Sequence, residues 1–583
     1  MKTSRNIEMR RKSQALPLVF RSLNSHSMPP LKVIVLGGLE EVGRNMTILE
    51  YGNDIIIIDM GLQFPEEDMP GIDYIIPNAS YLLPKRKNIR AVFITHAHYD
   101  HIGGIPHLIP QLGEKLPIYG TDITCAIIKR RQEDYKHYGT NLNLNVVTND
   151  TKLTLGAFSV EFFGVSHNVP GAVGVIAHTP QGTVIHTGDF KIDLKSDIAG
   201  RTEVEKIKAL ARKNVLAMLS DSTNAREPGH QFSEEDIKVE LEDIIRDAKG
   251  RLIVGTFSSL LGRLNQIIQL AEKYKKKVAV DGHSMKINIE IGRELGYMKF
   301  NPKTLIPLEQ VARFPPDRVM VLATGAQGED RAVLMRLANR EHRILQLEPG
   351  DTVVFSSSVI PGNERTVQRL TDKLYREGAD VINYRMLDIH AGGHAKKEDL
   401  KQMIKWVNPK YLIPIEGNHS FLKMHAKAAV EAGFDPKRVL IADNGQVIEA
   451  RDGVMRLTNE RIPANYVFVD GLGVGDIGEV VLRDREALSQ DGMFVIIAII
   501  DSQNGKLRGS PDIISRGFIY LRENQELLKE VRKKIKDIIE KSATGTETLN
   551  PQYIRDNIRD KIGQYLFAKT QRRPMVLPVV IEV

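Results

Sequence analysis

The segment 96–101, which reads HAHYDH, constrains the fold of this chain more than any other stretch. It directly follows AVFIT, a run of β-branched and aromatic residues that predicts a buried strand. The segment holds four potential metal ligands in six residues, and these cannot all share one face of a strand or a helix. Without a cation they would repel or desolvate one another. We therefore expect a loop that wraps a metal ion at the end of a strand.

The cysteine content limits which metal this site can hold. The 583-residue chain has a single cysteine, Cys125, which excludes an intrachain disulfide and a cysteine-based zinc cluster. One cysteine also fits a reducing compartment, so we expect a cytoplasmic protein. Imidazole and carboxylate groups without thiolate suit Zn²⁺ or Mn²⁺.

Two further candidate ligands follow later strand-like runs, His167 in GVSHNVPG and Asp189 in HTGDF. Together with HAHYDH they supply enough groups for two metal ions bridged by Asp189. Such a pair of ions holds the attacking and leaving oxygens in phosphodiester hydrolysis. The sequence therefore predicts a two-metal hydrolase site.

The pattern of apolar runs predicts one domain interrupted by another. Short runs that end in Gly, Asp or His fill the chain from about residue 31 to about 190, and they predict strands with polar ends. From about residue 233 helices alternate with strands, which favours a parallel sheet. Strand-ending polar loops return between about 351 and 420, and the tail from about 465 has strands and a helix of its own.

The net charge and the apolar runs indicate which classes of binding partner the chain can have. The net charge of +7 and the pI near 9.0 favour a polyanionic partner only mildly. The longest late apolar run, MFVIIAII, is far shorter than the ~20 residues that span a bilayer, so we expect no membrane partner. The first 28 residues are basic, and three interpretations stay open for them: a targeting segment, a disordered arm, or translation that starts at Met28.

With Asp59 in IIIIDMG, these motifs resemble the metallo-β-lactamase superfamily. The long stretch between Asp189 and Glu416, Asp221 in MLSDSTN, His394 in HAGGH and the phrases ATGAQGE, SSSVIPGNE, GLGVGDIGEVVLRDR, IISRGFIYLRE and RRPMVLPVVIEV resemble the ribonuclease J family of the β-CASP group. The resemblance runs from about residue 31 to the end of the chain. It implies an α/β protein: an αββα metallo-β-lactamase sandwich, an inserted α/β β-CASP domain and a small α+β C-terminal domain.

The resemblance also implies where the domains begin and end. We expect a basic, disordered arm over 1–30, the metallo-β-lactamase domain over 31–231 and 378–450, the β-CASP domain over 232–377, a linker over 451–466 and the C-terminal domain over 467–583.

The function implied by the resemblance is that of a metal-dependent ribonuclease. Such an enzyme has 5′-to-3′ exonuclease and endonuclease activity on single-stranded RNA, prefers 5′-monophosphate ends and acts in rRNA processing and mRNA decay. It implies two divalent metal ions per subunit, Zn²⁺ with Mn²⁺ or Mg²⁺ as alternatives, and a homodimer, a homotetramer or a hetero-oligomer with a paralogue. The alternative function is a catalytically weak RNA-binding or scaffold subunit of such a hetero-oligomer. A small-molecule hydrolase is disfavoured by the long insertion, and action on DNA stays open.

The resemblance assigns roles to individual residues. His96, His98 and His167 would hold one metal ion, Asp100 and His101 the other, and Asp189 would bridge them. Glu416 would be a further ligand. The expected catalytic residues are Asp59, Asp100, Asp221 and His394, with Asp59 supporting the ligand loop and His394 orienting phosphate or protonating the leaving 3′-oxygen. The expected substrate-binding residues are Phe257, Ser258, Ser259, Arg263, His390, Ala391, Gly392, Gly393 and His394.

One departure from the family pattern concerns a metal ligand. Where relatives have a histidine in a P-I-H-G-E-like phrase, this chain reads PIEGN and places Glu416. An extra carboxylate lowers the net positive charge of the metal pair, so we expect weaker water activation, a higher pH optimum and a shift from Zn²⁺ towards Mn²⁺ or Mg²⁺. His419 is the alternative replacement for the missing ligand.

Other departures concern substrate contacts. The segment TFSSLLGR at 256–263 differs from the TFASNIHR of relatives, which suggests altered RNA contacts, with Arg263 kept as a phosphate partner. Gly392 and Ala326 stand where relatives often have serine, so we expect backbone amides to bind phosphate there.

Overall fold

The structure is a computed structural model, and it describes residues 28–66, 68–138, 141–195, 203–357, 359, 363–383, 392–542 and 550–583. The expected basic arm falls almost entirely outside these residues.

Two sheets face each other and form the centre of the molecule. The first sheet has the strand order Val454–Arg461, Gln446–Arg451, Leu31–Gly37, Met46–Tyr51, Asp54–Ile58, Ile89–Phe93, Pro117–Gly120 and Asn143–Val146. The second sheet has the order Tyr411–Ile415, Val215–Asp221, Gly182–His186, Val173–Thr179, Phe158–Gly164 and Lys152–Leu155. Alternate apolar residues of both sheets meet in one buried core, which includes Val33, Ile56, Phe93, Phe162 and Leu219.

Helices cover the outer face of each sheet. On the first sheet these are Ile105–Leu112 and Asp122–Gln132, and on the second sheet they are Val204–Leu210, Lys397–Val407 and His419–Glu431. The short helix Tyr99–Ile102 begins within HAHYDH. The expected αββα sandwich is therefore confirmed.

The inserted domain has a parallel sheet of its own, here called the insert sheet. Its strand order is Leu305–Ile306, Lys277–Asp281, Val319–Ala323, Leu252–Gly255, Thr352–Phe355 and Asp380–Ile382. The helices Glu234–Asp247, Leu261–Lys273 and His283–Glu294 pack on one face, and Val333–Ala338 and Glu364–Arg376 pack on the other. Ser233 begins the first of these helices with a capping box completed by Asp236.

The stretch 451–466 differs from the expected linker. Its residues Val454–Arg461 form an antiparallel strand beside Gln446–Arg451 and so extend the first sheet. The next strand, Val467–Asp470, pairs with Tyr74–Ile76 and Gly473–Val474 in a small third sheet. The tail is thus attached to the sandwich by backbone hydrogen bonds. The sequence did not indicate this attachment, because this stretch has no repeating pattern.

The C-terminal domain is a three-stranded sheet covered by helices. Its strands are Asp512–Arg516, Met493–Ile500 and Met575–Glu582, and its helices are Glu479–Asp491, Gln525–Ser542 and Pro551–Thr570. The apolar stripe of the helix Gln525–Ser542 buries Leu528, Val531 and Ile535 against the sheet. Among the described residues, none of the helices combines the length and the apolar character needed to cross a bilayer.

Candidate metal centre

The candidate ligands come from strands of both sheets that end at the same edge of the sandwich. HAHYDH follows Ile89–Phe93 of the first sheet, and His167 and Asp189 follow Phe158–Gly164 and Gly182–His186 of the second. Asp221 is the last residue of Val215–Asp221, and Glu416 directly follows Tyr411–Ile415. Because these strand ends meet, residues that are far apart in sequence converge.

Three histidines and one aspartate form the first ligand group, His96, His98, His167 and Asp189. The Nδ1 atom of His98 lies 3.1 Å from Nε2 of His96 and 3.0 Å from Nε2 of His167. Burial, and then the neighbouring His101, lowers the pKa of His96 well below its ordinary value. Burial likewise lowers the pKa of His98 and His167. All three imidazoles are therefore neutral at neutral pH, which is the form that binds a metal.

The second ligand group shares Asp189 and adds Asp100 and His101. Nε2 of His101 lies 3.3 Å from Oδ1 of Asp189 and 3.6 Å from Oδ2 of Asp100. Burial lowers the pKa of His101, but the carboxylates of Asp189, Asp100 and Asp59 raise it by more, to well above its ordinary value. The anionic surroundings of this group favour a cation.

Asp59 forms hydrogen bonds with the residue that precedes HAHYDH and with His101. Its buried carboxylate accepts hydrogen bonds from the backbone N–H of Thr95 at 2.8 Å and the hydroxyl of Thr95 at 2.9 Å. Its Oδ2 also lies 2.8 Å from Nδ1 of His101, which leaves Nε2 of His101 facing Asp189. Asp59 has a φ of 63°, a left-handed conformation that is uncommon outside glycine and that clusters at functional sites.

Sequence reasoning missed Asn45 and Thr95. The amide nitrogen of Asn45 lies 3.0 Å from Nε2 of His101, and Thr95 bonds Asp59. The position of Thr95 directly before HAHYDH is the signal that could have identified it. Asn45 lies in GRNM, far from the other motifs, and the sequence held no comparable signal for it.

A third group lies beside the first two and joins Asp221 and His394 to Asp189. Nδ1 of His394 lies 2.9 Å from Oδ2 of Asp221. Burial would lower the pKa of His394, but Asp221 and then Asp189 raise it to about 9. The side chain of His394 is 24% exposed, so this imidazole is accessible from solvent.

Gly393 makes a close approach that only glycine allows. Its carbonyl oxygen lies 2.8 Å from Nδ1 of His167, and a Cβ at this position would come within 2.5 Å of the His167 ring. The carbonyl of the next residue, His394, accepts a hydrogen bond from the amide of Gln231 at 3.0 Å. Gly392 is described beside them, whereas His390 and Ala391 lie outside the described residues.

Glu416 lies next to the second ligand group. It is 5% exposed, has a φ of 58°, and neither of its carboxylate oxygens has a hydrogen-bond donor among the described residues. Burial, and then the charge of Asp189, raises the pKa of Glu416 well above its ordinary value. His419, the alternative replacement ligand, is directed away, because its Nδ1 lies 2.9 Å from Oε1 of the exposed Glu40.

The donor set fits metal ions. A single lone pair on Nδ1 of His98 cannot satisfy both His96 and His167, so these three nitrogens suit a shared cation better than hydrogen bonds among themselves. The buried carboxylate oxygens of Glu416 and the buried amide oxygen of Asn45 also have no hydrogen-bond partner in the described chain, so they are further candidate metal-ligand atoms.

Ser259 brings the inserted domain into the site. Its hydroxyl lies 3.1 Å from Nε2 of His98, the nitrogen of that ring that faces away from His96 and His167. The neighbouring Phe257 and Ser258 are half-buried, and the carbonyl of Ser258 accepts a hydrogen bond from Asn288 at 2.9 Å.

Arg263 does not occupy the position expected of a phosphate partner. It is 1% exposed, and its guanidinium bonds Glu234 at 2.9 Å and the hydroxyl of Ser356 at 2.9 Å. Glu234 also accepts a bond of 2.8 Å from the buried Lys191, two residues after Asp189. Glu234 therefore joins Arg263 of the inserted domain to the metal-site segment of the sandwich. This differs from the expected phosphate contact, because the acidic partner of Arg263 lies on another helix and sequence spacing does not reveal it.

Comparisons with known proteins cover almost the whole chain. Models of a β-lactamase superfamily domain, the ribonuclease J β-CASP domain, a Zn-dependent metallo-hydrolase RNA specificity domain and the ribonuclease J C-terminal domain match residues 32–230, 249–374, 381–441 and 480–583. Ribonuclease J2 of Bacillus subtilis is 36% identical over 555 residues, 95% of this chain and 99% of the relative. Ribonuclease J 1 of Streptococcus pyogenes is 38% identical over 549 residues, 94% of this chain and 97% of the relative.

A similar fold occurs among solved structures. A protein of unknown function from Enterococcus faecalis V583 matches with a TM-score of 0.53 and 19% identity, covering 72% of this chain and 100% of its own. At that identity the likeness concerns the fold alone.

Proposed function

Because the chain belongs to the ribonuclease J family of metal-dependent ribonucleases, we propose that it cleaves single-stranded RNA as a 5′-to-3′ exonuclease and as an endonuclease, using two divalent metal ions. The observation that carries this proposal is that Asp189 belongs to both ligand groups, one with His96, His98 and His167 and one with Asp100 and His101. A carboxylate shared in this way supports a bridged pair of ions.

When bound, such a pair supplies electrophilic activation of a phosphoryl oxygen and of the attacking water. The residues of the chain perform the remaining tasks. His96, His98, His167, Asp100, His101 and Asp189 hold the ions, Glu416 adds an oxygen ligand beside them, and Asp59 fixes the orientation of His101. The carboxylates favour Zn²⁺ less than an all-histidine set would, so Mn²⁺ and Mg²⁺ are the alternatives.

His394 is the proposed proton donor. Its Nδ1–H is engaged by Asp221, which leaves Nε2 to bind the scissile phosphate or to protonate the leaving 3′-oxygen. Burial lowers the pKa of this ring, but the carboxylate of Asp221 raises it, and this favours the protonated form.

The inserted domain supports a polymeric substrate. It reaches the metal centre through Ser259, so a strand bound there would contact both the sandwich and the insert. We propose that Phe257 and Ser258 contact RNA and that the backbone of Gly392 and Gly393 receives a 5′-monophosphate, since residues without side chains let an anion approach closely. Substrates would be cytoplasmic transcripts in rRNA processing and mRNA decay.

The C-terminal domain supports self-association. One face of its sheet exposes about two-fifths of each of Ile499, Ile514, Leu577, Val579 and Ile581. An apolar face of this kind is typical of a protein interface. We propose a homodimer or homotetramer, with a paralogue as the alternative partner.

One observation favours the alternative of a catalytically weak scaffold subunit. Glu416 is an extra acid at a ligand position, and its uncompensated oxygens sit among other carboxylates. The complete remaining ligand set favours the enzyme.

The test uses 5′-labelled single-stranded RNA with a monophosphate or a triphosphate end, incubated with Mn²⁺, Mg²⁺ or Zn²⁺. We expect metal-dependent mononucleotide release, faster from the monophosphate, that is lost in an Asp100→Ala, His101→Ala variant and kept in the exposed-residue control Glu114→Ala. RNA binding by the wild type without cleavage would replace the nuclease proposal with the scaffold.

A further inference from the structure

The insert sheet carries a cavity that the metal centre does not use, here called the edge pocket. It has a volume of about 410 Å³ and lies at the carboxyl ends of the strands Lys277–Asp281 and Leu305–Ile306. Cavities of this size hold small molecules, and the carboxyl ends of parallel strands are where open sheets bind ligands. None of its lining residues belongs to a candidate metal-ligand group.

Three cations line the edge pocket, Lys286, Arg336 and Arg343. Within the residues that the structure describes, neither arginine forms an ion pair, and Lys286 lies 3.7 Å from Asp281. Arg336 is half-buried, and its Nε is buried without an acceptor in the described chain. An arginine that lines a cavity without an ion-pair partner is suited to bind an anion, and phosphate is the anion that arginine binds through paired hydrogen bonds.

Part of the wall of the edge pocket is apolar. It includes Leu305, Ile306, Pro307 and Ile344, and Ile344 has 50% of its surface exposed. Such a wall suits the flat face of a nucleobase. Glu309 also lines the cavity, is exposed and makes no ion pair in the described chain, so its carboxylate is available to accept hydrogen bonds from ribose hydroxyls.

The edge pocket is held in shape by His342. Its Nε2–H donates to Oδ2 of Asp281 at 2.8 Å, and its Nδ1 accepts the backbone N–H of Leu345 at 3.0 Å. These two bonds tie the loop that carries Arg343 and Ile344 to the end of the strand Lys277–Asp281. A wall ordered before binding lowers the entropic cost of taking up a ligand.

We propose that the edge pocket binds a nucleoside 5′-monophosphate unit, with the phosphate on Arg336 and Arg343, the base against Ile306 and Ile344, and the ribose hydroxyls towards Glu309. The unit comes either from a free mononucleotide or from one residue of an RNA chain. The proposal stands independently of the cleavage mode proposed above, because it concerns binding outside the metal centre.

The experiment measures binding of AMP and of a single-stranded oligoribonucleotide to the full chain in EDTA, by equilibrium dialysis. The test variants are Arg336→Gln and the exposed Arg343→Glu. Arg340→Gln is the matched control. It removes a charge just beyond the helix Val333–Ala338, which carries Arg336, and Arg340 lies outside the cavity. A His96→Ala, His98→Ala variant reports binding at the metal centre. Thermal unfolding checks that the Arg336→Gln variant is folded. If that variant is not folded, the Arg343→Glu variant decides the outcome.

We expect both test substitutions to weaken AMP binding at least about tenfold, the size of a lost charged hydrogen bond, while the control and the metal-centre variant bind as the wild type does. If AMP does not bind but the oligoribonucleotide shows the same dependence on both arginines, the unit belongs to an RNA chain. If AMP and the oligoribonucleotide both bind and neither arginine substitution weakens their binding, the proposal is overturned. So would AMP binding that disappears only in the metal-centre variant.

Discussion

Nε2 of His98 lies 3.1 Å from the hydroxyl of Ser259, so that a side chain of the inserted domain touches a candidate metal ligand of the sandwich. The opposite ring nitrogen, Nδ1, faces His96 and His167. A histidine that binds a metal through Nδ1 carries its proton on Nε2, and Ser259 is the acceptor for that proton. The position of the insert and the orientation of a ligand are thereby linked.

Ser259→Ala tests this link. We expect metal affinity and cleavage rate to fall roughly 10–100-fold, the usual cost of removing an outer hydrogen bond to a ligand histidine. Ser259→Thr, which keeps the hydroxyl, retains most of both. Metal titration followed by a cleavage assay measures the effect, and Ser258→Ala, which removes a hydroxyl one residue away, leaves metal affinity unchanged. Equal metal affinity for Ser259→Ala and the wild type would contradict the link.

Glu416→Gln tests the extra carboxylate. Because the substitution keeps the shape but removes the charge, we expect affinity for the second metal ion to fall at least about tenfold. Glu416→His should restore two ions per chain, favour Zn²⁺ and lower the pH optimum. Metal content after dialysis measures the stoichiometry, with Glu40→Gln on the exposed neighbour of His419 as the control. Two tightly held ions in Glu416→Gln would show that Glu416 is not a ligand.

Glu234→Gln tests the buried junction between the domains. Burial would raise the pKa of Glu234, but Arg263 and Lys191 lower it to about 2. A depressed pKa stabilises the fold above the unfolded value near 4.3, and this contribution is lost as the pH falls from there towards 2. At pH 7 we expect the variant to be less stable by about 3 kcal/mol, because two buried cations lose their partner.

Chemical unfolding at pH 7 and at successively lower pH measures this difference. It should shrink as the pH falls below about 4, since the wild type then loses the same interaction. Glu240→Gln, on the same helix, should unfold as the wild type does. A pH-independent difference would assign the effect to packing instead of charge.

His394→Ala tests the proposed proton donor. We expect the cleavage rate to fall about 10²–10⁴-fold, the range for a lost general acid, with metal content unchanged. His419→Ala removes an exposed histidine paired with Glu40 and should cleave at the wild-type rate. Loss of metal from His394→Ala would instead make His394 a ligand.

The sequence was most informative where chemistry is local. HAHYDH carries its ligands within six residues, and His167 and Asp189 each follow an apolar run, so a shared site could be foreseen from these residues, whereas Asp59 and Asp221 were assigned through the family resemblance. It was least informative where a partner lies far along the chain. The sequence suggests that Arg263 is a phosphate ligand, because its bond to Glu234 is not visible in the sequence. Asn45 contacts His101 only because the chain folds back at the first sheet.

The inserted domain also sets the order in which this protein matures during synthesis. Val215–Asp221 pairs in parallel with Tyr411–Ile415, and the whole insert lies between these neighbouring strands. The second sheet therefore stays open at this strand until the ribosome has released the segment after the insert, which also carries His394 and Glu416. Since domains fold as they emerge, a chain that ends within the insert lacks these residues and cannot complete the candidate metal centre. A truncated product that ends within the insert would be unable to attack RNA, including the message that encodes it.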